Sequence, residues 1–262
     1  MMRALGIAAT GMEAMQTNVE VISNNIANVS TTGFKRSLAQ FQDLLYQSNA
    51  QAGTASSDSG TELPTGSQIG LGVRSSGVTR VLTQGSLTET DNQLDVAVDG
   101  RGYFGIQLPN GNVAYTRDGS FRASSTGQIV TTDGYVVEPS ITVPPTSVNV
   151  TINQQGQVIS TDGNGKQTTV GQLHLYLFAN EAGLQAQGGN NFLETDASGS
   201  PIQGMPNDPG FGTIHQGYLE SSNVNVVSEI TNLITAQRAY EMNSKVITTT
   251  DQMLQTNVNL IH

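Results

Sequence analysis

The residues best suited to chemistry are few and scattered. Gly100-Arg101-Gly102-Tyr103-Phe104-Gly105 has the G-x-G-x-x-G spacing of a dinucleotide loop and follows the apolar run Val96-Ala97-Val98. Such a loop needs a helix next, so that the helix N-terminus can face the pyrophosphate. Here Ile106-Gln107-Leu108-Pro109-Asn110-Gly111 follows instead. That segment predicts a strand entering a hairpin, and the glycines are read as turn residues. Asp162-Gly163-Asn164-Gly165 opens like a calcium loop, but the position that would close it is Leu173 rather than Glu; a turn is expected. His174, His215 and His262 are isolated from one another and from metal-ligand spacing. There is no G-x-S-x-G elbow. The absence of cysteine removes disulfides, thiolate zinc sites and thiol catalysis. Asp91, Asp95, Asp99 and Asp118 are spread through strand-like sequence, whereas acid–base work needs convergent groups with displaced pKa values. The sequence therefore predicts no catalytic residue, no cofactor and no metal, and the protein is read as a non-enzyme.

The elements that would have to position any such site point elsewhere. Leu5, Ala8, Met12, Met15, Val19, Ile22, Ile26 and Val29 recur at alternating steps of three and four. At the other end Val226, Ile230, Leu233, Tyr240, Ile247, Leu254, Val258 and Ile261 fall on the same kind of ladder, with Gln237, Ser244 and Asp251 in its gaps. A period of about 3.5 residues makes a narrow apolar seam that only another helix can cover. An ordinary core-facing helix carries a similar stripe, but here the pattern occurs at both termini. These sixteen residues are expected to form an assembly seam, with Ile22 and Ile26 buried against the C-terminal helix and Ile247 and Leu254 as their partners. Ala8, with Gly6 and Gly11 on the flank, would let a second helix approach closely.

Between the helices the sequence is strand-like. Apolar and β-branched runs are predicted as strands at 78–82, 94–98, 103–108, 113–116, 128–131, 135–137, 148–152, 157–160 and 173–178. Pro109-Asn110-Gly111 and Asp133-Gly134 mark turns. Residues 183–213 are rich in Gly, Asn and Pro and are read as loops, and 47–68 as a polar linker or long loop. Residues 35–46 fit a short helix or an extended arm equally well. Ser30-Thr31-Thr32-Gly33 should end the first helix, and Asn223 or Asn225 should cap the last. The predicted fold is α+β, with N- and C-terminal α-helices paired as a coiled coil around a central, mainly antiparallel β domain. Its domains are 1–34 with 222–262 (helical), 35–95 with 205–221 (connecting arm and insert), and 96–204 (outer β domain).

Composition agrees with an assembling subunit. Only 36% of 262 residues are hydrophobic, 29 are glycine and none is tryptophan, leaving little material for one large core. A net charge of −10 disfavours nucleic acid and anionic lipid. No apolar run approaches the roughly 18–20 residues needed to span a bilayer, so direct membrane insertion is not expected. The opening Met1-Met2-Arg3 and short apolar stretch mimic a signal peptide, but the heptad runs through it. The segment is read as mature helix, and any export as proceeding without a cleaved signal.

Several segments resemble the bacterial flagellar axial proteins of rod and hook. Ser23-Asn24-Asn25-Ile26-Ala27-Asn28-Val29-Ser30-Thr31-Thr32-Gly33-Phe34-Lys35 is similar to their N-terminal signature. Gln216-Gly217-Tyr218-Leu219-Glu220-Ser221-Ser222-Asn223-Val224 resembles the segment before their C-terminal helix, and Gln237-Arg238-Ala239-Tyr240-Glu241-Met242-Asn243-Ser244-Lys245 the helix itself. The runs at 94–104 and 115–121 resemble their central domain. Within the family, length excludes the hook subunit and the shortest proximal rod subunits. Phe41-Gln42-Asp43-Leu44-Leu45-Tyr46 and the insert ending Leu63-Pro64-Thr65-Gly66 point to the distal rod, with the similar-sized proximal rod subunit as the alternative. A periplasmic polysaccharide-acting enzyme with a β domain ranks last.

The resemblance implies a stiff, hollow, homopolymeric drive shaft spanning the periplasm in the flagellar basal body. It would transmit torque to the hook and pass exported subunits through its channel. Implied partners are further copies of the chain, proximal rod subunits, hook protein, the P-ring and L-ring proteins and the flagellar type III export apparatus. Phe41 and Leu45 resemble the short apolar element presented to the export gate. The insert is expected to lock neighbouring subunits axially.

Overall fold

The computed structural model of the chain describes residues 2–50 and 65–259. They divide into two compact units. One comprises residues 1–26, 37–79 and 226–262, and the other 27–36 and 80–225.

The first unit holds both long helices, α1 (Met2–Ala27) and α2 (Val226–Asn259). Neither contains proline, and each carries apolar residues at three- and four-residue steps, so one face of each can be covered. The unit also holds β1 (Ser37–Asp43), β2 (Tyr46–Ala50), β3 (Ser67–Gly70) and the greater part of β4 (Val73–Arg80). Residues 35–46 are thus an extended arm and not a helix, with β1 paired to β4.

β2 and β3 pair antiparallel, from Tyr46 opposite Gly70 to Ala50 opposite Ser67. The described flanks of the predicted linker are therefore strands, and residues 51–64 lie outside the described part. Little in Gln47-Ser48-Asn49 favours a strand by itself. Local backbone pairing holds it, and the Tyr46 ring covers Gly70, 3.5 Å from where a β-carbon would stand.

The second unit is the β body. In chain order it contains β5 (Leu87–Glu89), β6 (Val96–Asp99), β7 (Phe104–Gln107), β8 (Val113–Thr116), β9 (Arg122–Ala123), β10 (Ile129–Val130), β11 (Val136–Glu138) and β12 (Ser147–Ile152). It continues with β13 (Gln157–Asp162), β14 (Gln167–Gln172), β15 (Leu175–Leu177), β16 (Gln185–Gly188), β17 (Asn191–Leu193), β18 (Ile202–Gly204), β19 (Thr213–Gln216) and β20 (Tyr218–Glu220). A seven-stranded sheet in the order β16-β17-β8-β7-β11-β10-β9 is accompanied by the meander β12-β13-β14 and the pairs β15-β18, β19-β6 and β20-β5. Every pairing with a registered partner is antiparallel, and hairpin turns fall at Asn110-Gly111 and Asp133-Gly134 as predicted.

Each predicted run overlaps a strand. The segment 183–213 does not remain loop, because β16, β17 and β18 run through it. β16 and β18 are mostly small or polar and are held by cross-strand pairing, whereas Phe192 and Leu193 of β17 also pack against buried apolar clusters. The G-x-G-x-x-G segment turns into β7, not a helix, with Gly100 and Gly102 at φ of 108° and 141°. Asp162-Gly163-Asn164-Gly165 is the β13–β14 hairpin turn.

Sparse apolar content yields three separate cores. The largest gathers Val96, Val98, Phe104, Phe121, Ile129, Ile141, Leu173, Leu175 and Ile214 with their neighbours. A second is mostly aromatic, Tyr103, Tyr115, Tyr176 and Phe178 with Leu184. Tyr115 meets Phe178 edge-on, with ring centroids 4.8 Å apart, the arrangement their quadrupoles favour. The third is small: Ile106, Leu108 and Ala114.

Candidate assembly surface

The covered residues of α1 include positions of the expected seam and, outside it, the buried Ala14 and Asn25. Ala8 and Ile22 are buried, and Leu5, Met12, Met15, Val19 and Ile26, with Val29 just beyond the helix, are half-buried. The helix meets α2 at two described places. Nδ2 of Asn25 donates to Oε2 of Glu229 at 3.2 Å. A β-carbon on Gly11 would stand 2.8 Å from Nδ2 of Asn243, so the Asn243 amide lies against Gly11 and would have to shift for a larger residue. Gly6 faces open space. Fourteen residues forward along α1, from Gly11 to Asn25, match fourteen backward along α2, from Asn243 to Glu229. The helices are therefore antiparallel.

This register sets Ile22 near the level of Asn232. It does not bring Ile22 and Ile26 to Ile247 and Leu254, which the ladders alone suggested as partners. At 1.5 Å per residue, Ile247 is about 22 Å farther along α2. Matching heptads permit several registers, and polar contacts choose among them. A cleft of about 660 Å³, lined by Gln16, Val19, Gln237, Tyr240 and Glu241, opens between the helices.

α2 has two apolar phases. Its covered positions step four and three: Glu229, Ala236 and Thr250 are buried, and Leu233, Asn243, Ile247 and Leu254 half-buried. Small or polar residues one position before Gln237, Ser244 and Asp251 thus fill the gaps in the ladder. Val226, Ile230 and Tyr240 are exposed; Val258 and Ile261 lie beyond the described side chains. The side turned away from α1 carries Val227, Ile230 and Ile234, 76%, 44% and 47% exposed, then Met242, Val246 and Met253. Periodicity alone could not separate this second stripe from the first, because both follow the same helical repeat.

Asn25 also fixes the start of the arm. Its Oδ1 accepts from the Ser37 N–H and its Nδ2 donates to the Ser37 carbonyl, both at 2.8 Å. The buried amide thereby acts as a strand partner for β1. The arm returns over α1, where the Val73 N–H donates to Oγ1 of Thr10 and the backbone of Gly72 lies against that hydroxyl. Phe41 is half-buried within β1, and Leu45, between β1 and β2, is 82% exposed. Their four-residue spacing therefore lies along extended chain and not along one helix face.

In the β body, a buried ionic cluster joins the segments that lead to the two helices. Nζ of Lys35 is 2.5 Å from Oε1 of Glu220, and Nε of Arg117 is 3.0 Å from Oε2. All three side chains are nearly inaccessible. The cluster is tied to backbone: Lys35 donates to the Thr83 carbonyl, Arg117 to the carbonyls of Gly100 and Gly102, and the Gly85 N–H to Glu220. Desolvation lowers the Lys35 pKa, and the Glu220 carboxylate opposes that shift. Gly33, at φ 68°, donates its N–H to the Glu220 carbonyl. A β-carbon there would stand 2.9 Å from the Arg117 backbone, so glycine is required for both conformation and space.

Asn223, one of the two expected helix caps, does different work. Its Oδ1 accepts from the Arg36 N–H and its Nδ2 donates to the carbonyls of Val81 and Thr83. Asn225 takes the position immediately before α2. Sequence reasoning missed the ionic cluster and these amide clamps, since their partners are remote in the chain. The only signal was rarity, for charged residues are 12% of the sequence.

Two terminal helices, an extended arm and a β body present faces for contact rather than a chemical centre; this is the layout of an assembling structural protein. Three family models match: "Flagella basal body rod protein" over residues 5–35, "Flagellar hook protein FlgE/F/G D1 domain" over 97–160 and "Flagellar basal body rod FlgEFG protein C-terminal" over 215–260. The chain is 56% identical over 260 residues to the flagellar basal-body rod protein FlgG of Caulobacter vibrioides, covering 99% of both chains. It is 45% identical to FlgG of Borreliella burgdorferi, again covering 99% of each. It is 32% identical to the flagellar hook-basal body complex protein FlhP of Bacillus subtilis, covering 97% of each. The chain belongs to the flagellar basal-body rod protein family, whose members are structural proteins and not enzymes.

Proposed function

We propose that this protein is a subunit of the distal rod of the flagellar basal body, polymerising into a stiff hollow shaft across the periplasm. The observation that carries this reading is the second apolar stripe of α2. Val227, Ile230 and Ile234 remain largely or partly exposed among the described residues. Three such residues, at up to about 1.5–3 kcal/mol each when buried, provide a driving force for association. End-to-end similarity to FlgG rod proteins makes further copies of the same chain the natural cover.

In the polymer α1 and α2 would pair as a coiled coil and line the channel, with the β body outward. Lateral packing of each α2 against neighbouring helices would close the cleft beside Val19 and Tyr240. The Lys35–Glu220–Arg117 cluster holds together the two chain segments through which torque on the β body would reach the helices. Phe41 and Leu45 act on the unfolded chain at the type III export gate; the exposure of Leu45 supports a role other than core packing.

The test is assembly of purified protein, viewed by electron microscopy. Wild-type chain should form tubes, and Ile234→Asp, which places a charge on the outward stripe, should remain monomeric with an unchanged circular dichroism spectrum. Tubes from Ile234→Asp as abundant as wild type would overturn the reading.

A further inference from the structure

The helix pair carries unlike surfaces on its two flanks. At about 100° per residue, Ile230 and Ile234 stand within about 20° of Glu241 around α2, on the flank where the cleft against α1 opens. By the same geometry Met242, Val246 and Met253 stand about 100–140° farther round. The first flank is concave: Val19 and Tyr240 line a cleft of about 660 Å³ together with Gln16, Gln237 and Glu241. The second is a ridge of three apolar side chains, 63%, 43% and 55% exposed. The ridge extends over about 17 Å of helix.

We propose that this ridge seats in the cleft of a second copy of the chain, so that each copy gives with one flank and receives with the other. The contact presupposes the rod reading, and it is the contact by which one rod subunit would meet the next.

Shape, chemistry and charge favour this occupant. The cleft is irregular and partly polar, and methionine is the apolar side chain that adapts best to such a space. The ring of Tyr240 offers its sulfur a favourable partner. Glu241 is the only charged residue lining the cleft, and Lys245 is the only charged residue from 242 to 250. Opposite signs therefore meet where ridge and cleft join, which fixes register and disfavours wrong pairings.

Symmetry gives the further reason. A ridge packed on an identical ridge is an isologous contact and closes as a dimer. A ridge packed in a cleft joins two different patches, so the contact repeats from copy to copy. Only the second arrangement extends a shaft.

The experiment is disulfide trapping, which this cysteine-free chain permits without background. In the full chain, Gln237→Cys on the cleft is combined in turn with Met242→Cys, Val246→Cys or Met253→Cys on the ridge. All four positions are exposed, and helical circular dichroism should match wild type. Along one helix the two cysteines of each pair are too far apart to bridge. Assembled under mild oxidant and then denatured without reductant, at least one pair should give a ladder of covalent multimers. Each single variant should run as monomer. Covalent dimers from a ridge cysteine alone would place ridge against ridge and overturn the proposal. No ladder from any pair, when the wild-type chain forms tubes, would overturn it too and leave the rod reading intact. A wild-type chain that forms no tubes overturns the rod reading and this contact together.

Discussion

Asn25 and Glu229, 204 residues apart, share a hydrogen bond of 3.2 Å and are 1% and 2% exposed. That contact fixes where α2 stands along α1, and the same amide holds the first residue of β1. Asn25→Leu removes all three hydrogen bonds with little change in volume. Leaving buried groups unsatisfied costs about 1–3 kcal/mol each. Thermal unfolding monitored by helical circular dichroism should show a lower midpoint, and an unchanged midpoint would mean that water replaces the amide without loss.

Glu220→Gln should be the most damaging single change in the β body. It leaves Lys35 and Arg117 charged and buried beside a neutral amide, a loss of about 3–5 kcal/mol. Adding Lys35→Met should restore part of that loss, because an unpaired charge is removed and the two sites are coupled. Urea unfolding of the single and double variants, followed by tyrosine fluorescence, tests this. Strict additivity would show that the pair does not interact.

Ile22, 4% exposed on the covered face of α1, should not tolerate charge. Ile22→Asp places a carboxylate on the covered face, costing several kcal/mol. The expected outcome is loss of helical order and of motility, with the near-UV spectrum of the β body intact. Normal swimming from this variant would contradict the seam.

For the arm, Phe41→Ala combined with Leu45→Ala separates export from packing. As an export element, the pair acts before any fold exists, so the double variant should accumulate in the cytoplasm. Secretion at the wild-type rate followed by failed assembly would instead assign both residues to the folded arm.

Alkaline pH should destabilise the β body. Burial, reinforced by nearby acidic and phenolic groups, raises the pKa values of Tyr103, Tyr115 and Tyr176 above the unfolded value of 10.0. A raised folded pKa stabilises fully below the unfolded value and loses that contribution as pH climbs through the folded one. Lys35, lowered by burial, works in the opposite sense just below its unfolded value of 10.5, one group against three. Tyrosinate absorbance at alkaline pH should therefore show Tyr103, Tyr115 and Tyr176 ionising together with loss of near-UV dichroism. Ionisation of these three with the fold retained would refute this.

The sequence by itself determined the helices, most of the strands, the two hairpin turns and the break at Gly33. These are local facts, set by the spacing of apolar residues and by which residues accept positive φ. The stripe of Ala8, Met15 and Ile22 was legible too, but not the burial of Ala14 and Asn25 beside it. Register was beyond the sequence. Heptads on two helices fit one another in several alignments, and only folding showed Asn25 meeting Glu229 and Gly11 receding before Asn243. The strands within 183–213 were hidden as well, because their apolar residues are few and set among Gly, Asn and Gln, and backbone pairing with distant strands holds them. The Lys35–Glu220–Arg117 cluster and the carbonyl clamps of Asn223 depend on residues separated by up to 185 positions. What local preference sets can be read along the chain; what burial and hydrogen bonding between distant residues set exists only once the chain has closed on itself.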